Sequence, residues 1–157
     1  MENQRIEKEK YKQEILNSLL NKKVVLVGTG TESADFYNSY CNLLNIDMIT
    51  ANYFLTDALE KFHLKSEVEA KKINELKIGG NSDYFYIIAI AYDVSYLAVS
   101  FQLEELGLLY GKDYIDYSIA EAILCGKKIL ITVGDCLLDA ISIGLNYFDT
   151  FKEKYYM

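Results

Sequence analysis

Proline and tryptophan are absent from this 157-residue chain, and histidine occurs once, as His63. Without proline there is no Pro-rich linker or stiff spacer, and nine glycines are too few for a low-complexity tail. The three cysteines, Cys41, Cys125 and Cys136, are odd in number, widely spaced and form no CxxC pair. Such a set excludes a disulfide framework and, beside a lone histidine, a structural zinc site. Reduced thiols in a reducing compartment are expected. No apolar run approaches the roughly 20 residues of a membrane-spanning helix. The first twenty residues are charged and lack the apolar core of a signal peptide, so the expected location is cytoplasmic. Basic residues are outnumbered, 16 against 23 acids, for a net charge of −7. A surface of that sign repels phosphate backbones and anionic lipid heads, so neither nucleic acid nor membrane is an expected partner.

What is present is an ordinary globular composition, 51% apolar and 25% charged, in a length suited to one core. Residues 3–20 carry Ile6, Tyr11, Ile15, Leu19 and Leu20 near helical spacing, with charges between them. Val24-Val25-Leu26-Val27 is an unbroken apolar run, the mark of a strand buried on both faces. A helix over Ser33–Leu44 and a strand over Asp47–Tyr53 follow. Thr56–Phe62 reads as a short helix. Ser66–Leu76 reads as a charged helix, opened by the capping-box spacing of Ser66 and Glu69. Gly79–Ser82 is a loop and Tyr84–Tyr92 the most apolar strand. Ser95–Leu106 is a helix with Gly107 as its C-cap. Lys112–Tyr117 is a short strand, Ser118–Leu124 a short helix, and Lys128–Val133 a further strand. Leu137–Leu145 and the tail to Met157 read as helical.

Strand and helix thus alternate along the chain. The pattern predicts an α/β fold, a Rossmann-like three-layer sandwich with a mainly parallel sheet and an N-terminal helix. Residues 1–21 form that helix and 22–157 a single domain, unless 128–157 begins a second domain of a longer parent. Ligands of such sheets bind at the carboxyl edge of the strands, where the strand order reverses.

One segment carries chemistry at that edge. Gly28-Thr29-Gly30-Thr31-Glu32-Ser33 follows the first strand and opens the next helix. It matches the dinucleotide fingerprint GxGxxG except that Ser33 replaces the third glycine. The first glycine permits the tight turn and the second lets a phosphate approach. A small third residue lets helix and strand pack closely. The helix N-terminus adds free N–H groups and a positive dipole end, and Thr29 and Thr31 offer hydroxyls. Two features depart from the pattern. Glu32 places a negative charge in the turn. Asn52 stands where an acid would hold the ribose hydroxyls, although an amide both donates and accepts. Tyr92 and Asp93, at the end of the strand from Tyr84, complete the candidate binding set. The cofactor is left open: NAD(P) and a sugar nucleotide are both compatible with the turn, and the turn alone, without a ligand, is the alternative.

Three blocks carry a resemblance: Val24–Gly30, Tyr84–Ala91, and the Leu-rich helix ending in Glu104-Glu105-Leu106-Gly107, followed by Asp113–Asp116. On these, Lys23–Ser118 resembles the small Rossmann-like modules of bacterial surface-polysaccharide enzymes. Similar modules form the N-terminal domain of nucleotide-sugar acyltransferases of the sialic-acid type. The resemblance implies a nucleotide or sugar-nucleotide ligand and an accessory role in carbohydrate or cell-envelope metabolism. The β-helix repeats found beside some such modules are absent. A second block, Lys128–Leu145, resembles the opening of Gly-Asp-Ser-Leu esterases and of Gly-Asn-Cys polysaccharide acetyltransferases, with Cys136 at the nucleophile position. That resemblance implies a fragment of a thiol-dependent acyltransferase or hydrolase, whose base would lie beyond Met157. A thiol at a helix N-terminus is chemically apt, since the dipole favours the thiolate. The third reading is a ligand-free interaction module, with a homodimer formed through the N-terminal helix. His63 reads as a helix-end cation, Asp83, Asp113 and Asp116 as strand-flanking acids, and Glu104-Glu105 as a solvated helix face. Tyr84, Tyr86 and Tyr96 read as core or cleft-rim residues.

Overall fold

The computed structural model describes residues 2–52, 56–76, 83–90, 94–129 and 155–156. Strands β1 (Lys23–Val27), β2 (Ile46–Ala51), β3 (Glu69–Lys72), β4 (Tyr84–Ile88) and β5 (Tyr114–Asp116) form one sheet in the order β3-β2-β1-β4-β5. Every pairing in it is parallel. Helix α1 (Glu2–Asn21) precedes the sheet, α2 (Thr31–Tyr40) joins β1 to β2, and α3 (Val94–Glu105) joins β4 to β5. The chain has the α/β, Rossmann-like architecture with an N-terminal helix that its alternating pattern predicts.

The unbroken apolar runs explain why the strands are central. Val25, Val27, Met48, Tyr86, Ile88 and Tyr114 face Tyr96, Val99 and Leu103 of α3, with Leu108 beyond the helix end. The alternate residues Val24, Leu26, Ile49, Phe85, Ile87 and Ile115 face the other way, and none is more than 1% exposed. Both faces are therefore covered, as a parallel sheet requires. Connections leaving β1 and β4 run in opposite directions along the sheet, and right-handed crossovers place α2 and α3 on opposite faces. The order reverses between β1 and β4, which are direct neighbours. That is the switch point.

Local signals set several boundaries. Gly107 ends α3 at φ +84°, with its N–H on Glu104 O and the Leu108 N–H on Leu103 O. This is the glycine-terminated helix end expected from sequence. Thr56–Lys61 is helical as expected, though as a 3-10 helix.

The charged helix over Ser66–Leu76 does not form. Glu69–Lys72 instead pairs with Met48–Ala51 as β3, and Ile73–Glu75 is one 3-10 turn. Helix propensity and the Ser66/Glu69 spacing lose to pairing with the open edge of β2. Ser66 Oγ donates to Glu67 instead, and Glu75 accepts the Lys72 N–H. The charges that suggested a helix suit an edge strand that faces water and resists further pairing.

By contact the chain divides into two units, Met1–Tyr117 and Ser118–Met157. The first holds the whole parallel sheet. Helix α4 (Tyr117–Leu124) begins on the last residue of the first unit and covers the expected short helix in the second, where Gly126 (φ +66°) follows it. There β6 (Lys128–Ile129) pairs in parallel with β7 (Tyr155–Tyr156) in a separate two-stranded sheet. The expected strand from Lys128 is thus not a sixth strand of the main sheet, and the tail is strand, not helix, at Tyr155–Tyr156. Cys136 and the Gly134-Asp135-Cys136 turn lie outside the described residues, as does the Gly79–Ser82 loop. Among the described residues no helix is long and apolar enough to cross a membrane.

Candidate functional site at the carboxyl edge of the sheet

The glycine turn stands at the switch point because β1 ends there. The Gly28 N–H donates to Thr50 O at 2.8 Å, extending the ladder one residue past β1. On the other side the Ala89 N–H donates to Val27 O at 2.8 Å. Gly28 has φ +130°, and a methyl group on it would lie 2.5 Å from Ala89 O and 2.9 Å from Ile90 Cγ1. The first glycine of the motif is therefore required by the fold itself, for backbone conformation and for the close approach of the chain leaving β4.

Gly30 is different. It is the N-cap of α2, with φ −80° and ψ −171°, an extended conformation open to any residue. A methyl group there would meet only Glu32 Oε2, at 3.1 Å, the mobile end of a side chain. Neither strain nor backbone crowding demands glycine at this position. No side chain caps the helix, so its first N–H groups are left without that partner.

Ser33 fills the third position as packing requires. It is fully buried, and its Oγ donates to Gly28 O at 2.8 Å, tying the first turn of α2 to the end of β1. The hydroxyl is thus a brace and not a ligand contact. Ser33→Ala should lower stability by about 1–2 kcal/mol, since it strips a buried carbonyl of its donor. Urea denaturation measures this, and a variant as stable as the parent would contradict the assignment.

The rest of the expected set is only partly assembled. Thr29 is half-buried, Thr31 is exposed, and both stand at the turn. Asn52 is exposed just past β2, the strand beside β1, and so shares the carboxyl edge with the turn. Tyr92 and Asp93 lie outside the described residues.

Other polar residues are occupied elsewhere. His63 is exposed, and its backbone N–H donates to Asn38 Oδ1, part of an anchor holding the 61–65 segment to α2. Asp113 Oδ2 accepts the Leu109 N–H. Asp116 accepts the Tyr110 hydroxyl at 2.6 Å; burial first, and this carboxylate second, push that hydroxyl well above the ordinary tyrosine range. Glu104 accepts the Tyr114 hydroxyl at 3.2 Å, so it is not merely a solvated acid. Tyr84 donates to Asp47, and Tyr86 belongs to the core on the α3 face. Among the described residues no three His, Cys, Asp or Glu side chains are placed to hold a metal ion.

Sequence reasoning missed one residue. Thr50 is fully buried, and its Oγ1 has no hydrogen-bond partner among the described residues. Nothing in the run Ile46–Ala51 singles it out, because threonine is an ordinary strand residue. Compared with known families, curated proteins and solved structures, the chain matches none.

Proposed function

We propose that the chain is a binding module for a nucleotide, dinucleotide or sugar nucleotide, held at Gly28–Ser33. The observation that carries this reading is the contrast between the two glycines. Gly28 is explained by the fold, whereas Gly30 is not. A residue without a side chain, at an uncapped helix N-terminus beside the switch point, leaves room for a phosphate to reach backbone N–H groups. The first turn of α2 supplies the positive end of the dipole, and Asn52 lies at the same edge for the sugar hydroxyls. The setting we propose follows the resemblance of Lys23–Ser118: an accessory role in bacterial carbohydrate or cell-envelope metabolism, in the cytoplasm.

Glu32 shapes the affinity. Its carboxylate reaches back toward Gly30 and so competes with an incoming anion for the same helix end. Glu32→Gln should tighten nucleotide binding roughly two- to fivefold, the worth of one charge at a helix N-terminus. Titration calorimetry on both proteins checks this. Weaker binding by the variant would mean that Glu32 contacts the ligand directly.

The proposal as a whole is tested by thermal shift with NAD, NADP, ATP, UDP-sugars and CMP-sugars. A cognate nucleotide at a hundred times its Kd should raise the melting point by about 5–10 °C. No shift with any of them would leave the turn as architecture alone.

A further inference from the structure

Four of the seven large apolar or aromatic side chains that stand exposed among the described residues lie within residues 97–110: Leu97, Phe101, Leu109 and Tyr110. Phe101, at 63%, is the most exposed of the seven. Helix α3 turns Tyr96, Val99 and Leu103 toward the sheet, so Leu97 and Phe101, one turn apart, form a ridge on its outer side. The ridge is continuous with the turn beyond the helix. Glu104, three residues from Phe101, accepts the Tyr114 hydroxyl, and the Tyr110 ring stands edge-on to Tyr114 at 5.3 Å. Asp116 holds the Tyr110 hydroxyl, so this exposed ring is fixed in place before any partner arrives. Tyr11 of α1, also exposed, rests its hydroxyl on the neighbouring Gly111. Single exposed apolar side chains are ordinary, but a cluster of them rimmed by charge marks an interaction surface.

The charge around the ridge says what kind of partner fits. Residues 94–117 carry four acids, Glu104, Glu105, Asp113 and Asp116, against one base, Lys112. Helix α3 ends on Glu104 and Glu105, with no basic residue in its last turn. Two carboxylates at the negative end of a helix dipole are unfavourable. Among the described residues neither carboxylate forms an ion pair. The ridge of Leu97 and Phe101 therefore runs into a concentrated negative pole that the domain itself leaves uncompensated. Such a surface repels nucleic acid and anionic lipid. A second copy would bring the same acids to a two-fold contact, on a chain of net charge −7.

We propose that the outer face of α3, with the turn after it, docks a basic amphipathic helix of another protein. The apolar residues of that helix would pack on Leu97 and Phe101, and its Lys or Arg side chains would lie over Glu104 and Glu105, where they complement both the carboxylates and the helix end. Tyr110 and Leu109 extend the contact past the end of α3. Docking here requires nothing of the Gly28 turn.

The test is fluorescence anisotropy on the full chain with a labelled model peptide of leucine and lysine at helical spacing, about 18 residues long. The same peptide with glutamate for lysine is the comparison. The lysine peptide should bind with a Kd of roughly 10 μM, and the glutamate peptide at least about tenfold more weakly. Phe101→Gln, a change on an exposed helix face, should leave the melting point unmoved and weaken binding of the lysine peptide about tenfold. Glu104→Gln combined with Glu105→Gln should weaken it about fivefold. Leu43→Gln removes an equally exposed leucine beyond α2, on the other side of the sheet, and should stay within about twofold of the parent. No binding of the lysine peptide, or a loss in Leu43→Gln equal to that in Phe101→Gln, overturns the proposal. So does a parent that light scattering shows to be a dimer and Phe101→Gln a monomer, since the occupant would then be a second copy.

Discussion

Gly28→Ala is expected to lower the free energy of unfolding by about 3–5 kcal/mol. Two costs combine. The residue sits at φ +130°, where a side chain strains the backbone by roughly 1–3 kcal/mol. Its new methyl group would also press to 2.5 Å from Ala89 O. That atom belongs to backbone leaving the central strand β4, so relief means moving β4 away from β1, with an overpacking cost of about 1–3 kcal/mol. A loss this large is a big fraction of a small domain's stability, and the variant should be recovered only partly folded. Urea denaturation gives the value. A loss below about 1 kcal/mol would contradict the close approach of the two strands.

Gly30→Glu should behave in the opposite way, leaving the fold intact and abolishing binding. Glycine is not required there by conformation, and the nearest atom to a new methyl group is a carboxylate that can swing aside. The stability cost should stay within about 1 kcal/mol. The new side chain, however, fills the space over the α2 N-terminus and sets a second negative charge beside Glu32. Against a phosphate held near 4 Å from the new carboxylate, repulsion in the partly desolvated site is worth several kcal/mol, so nucleotide affinity should fall by about a hundredfold or more. Circular dichroism and calorimetry on the same sample separate the two effects. Retained affinity would move the phosphate away from the turn.

The parts of the fold legible in the sequence are those where one physical demand dominates. Val24–Val27 reads as a buried strand because both faces of a parallel sheet are covered, and the structure buries all four residues. Gly107 reads as a helix end because a left-handed residue is needed there, and it has one. Glu69–Lys72 was hidden because its composition serves two ends: its charges suit a helix face, and equally the wet edge of a sheet. Only the open edge of β2 decides between them, and that edge is a long-range fact.

The site divides the same way. The strand-turn-helix context placed Gly28, Gly30 and Ser33, whose roles depend on immediate neighbours. The motif did not say that Gly28 answers to Ala89, 61 residues away in sequence order and adjacent in space. Nor did it say that the Ser33 hydroxyl is already spent on Gly28.

The most direct test of the nucleotide-binding account is a titration of the isotope-labelled chain followed by amide NMR. On adding the nucleotide that gives the largest thermal shift, chemical-shift changes should centre on the amides of Gly28 to Ser33, with a second change at Asn52. Saturating changes elsewhere, with those amides unmoved, would contradict it.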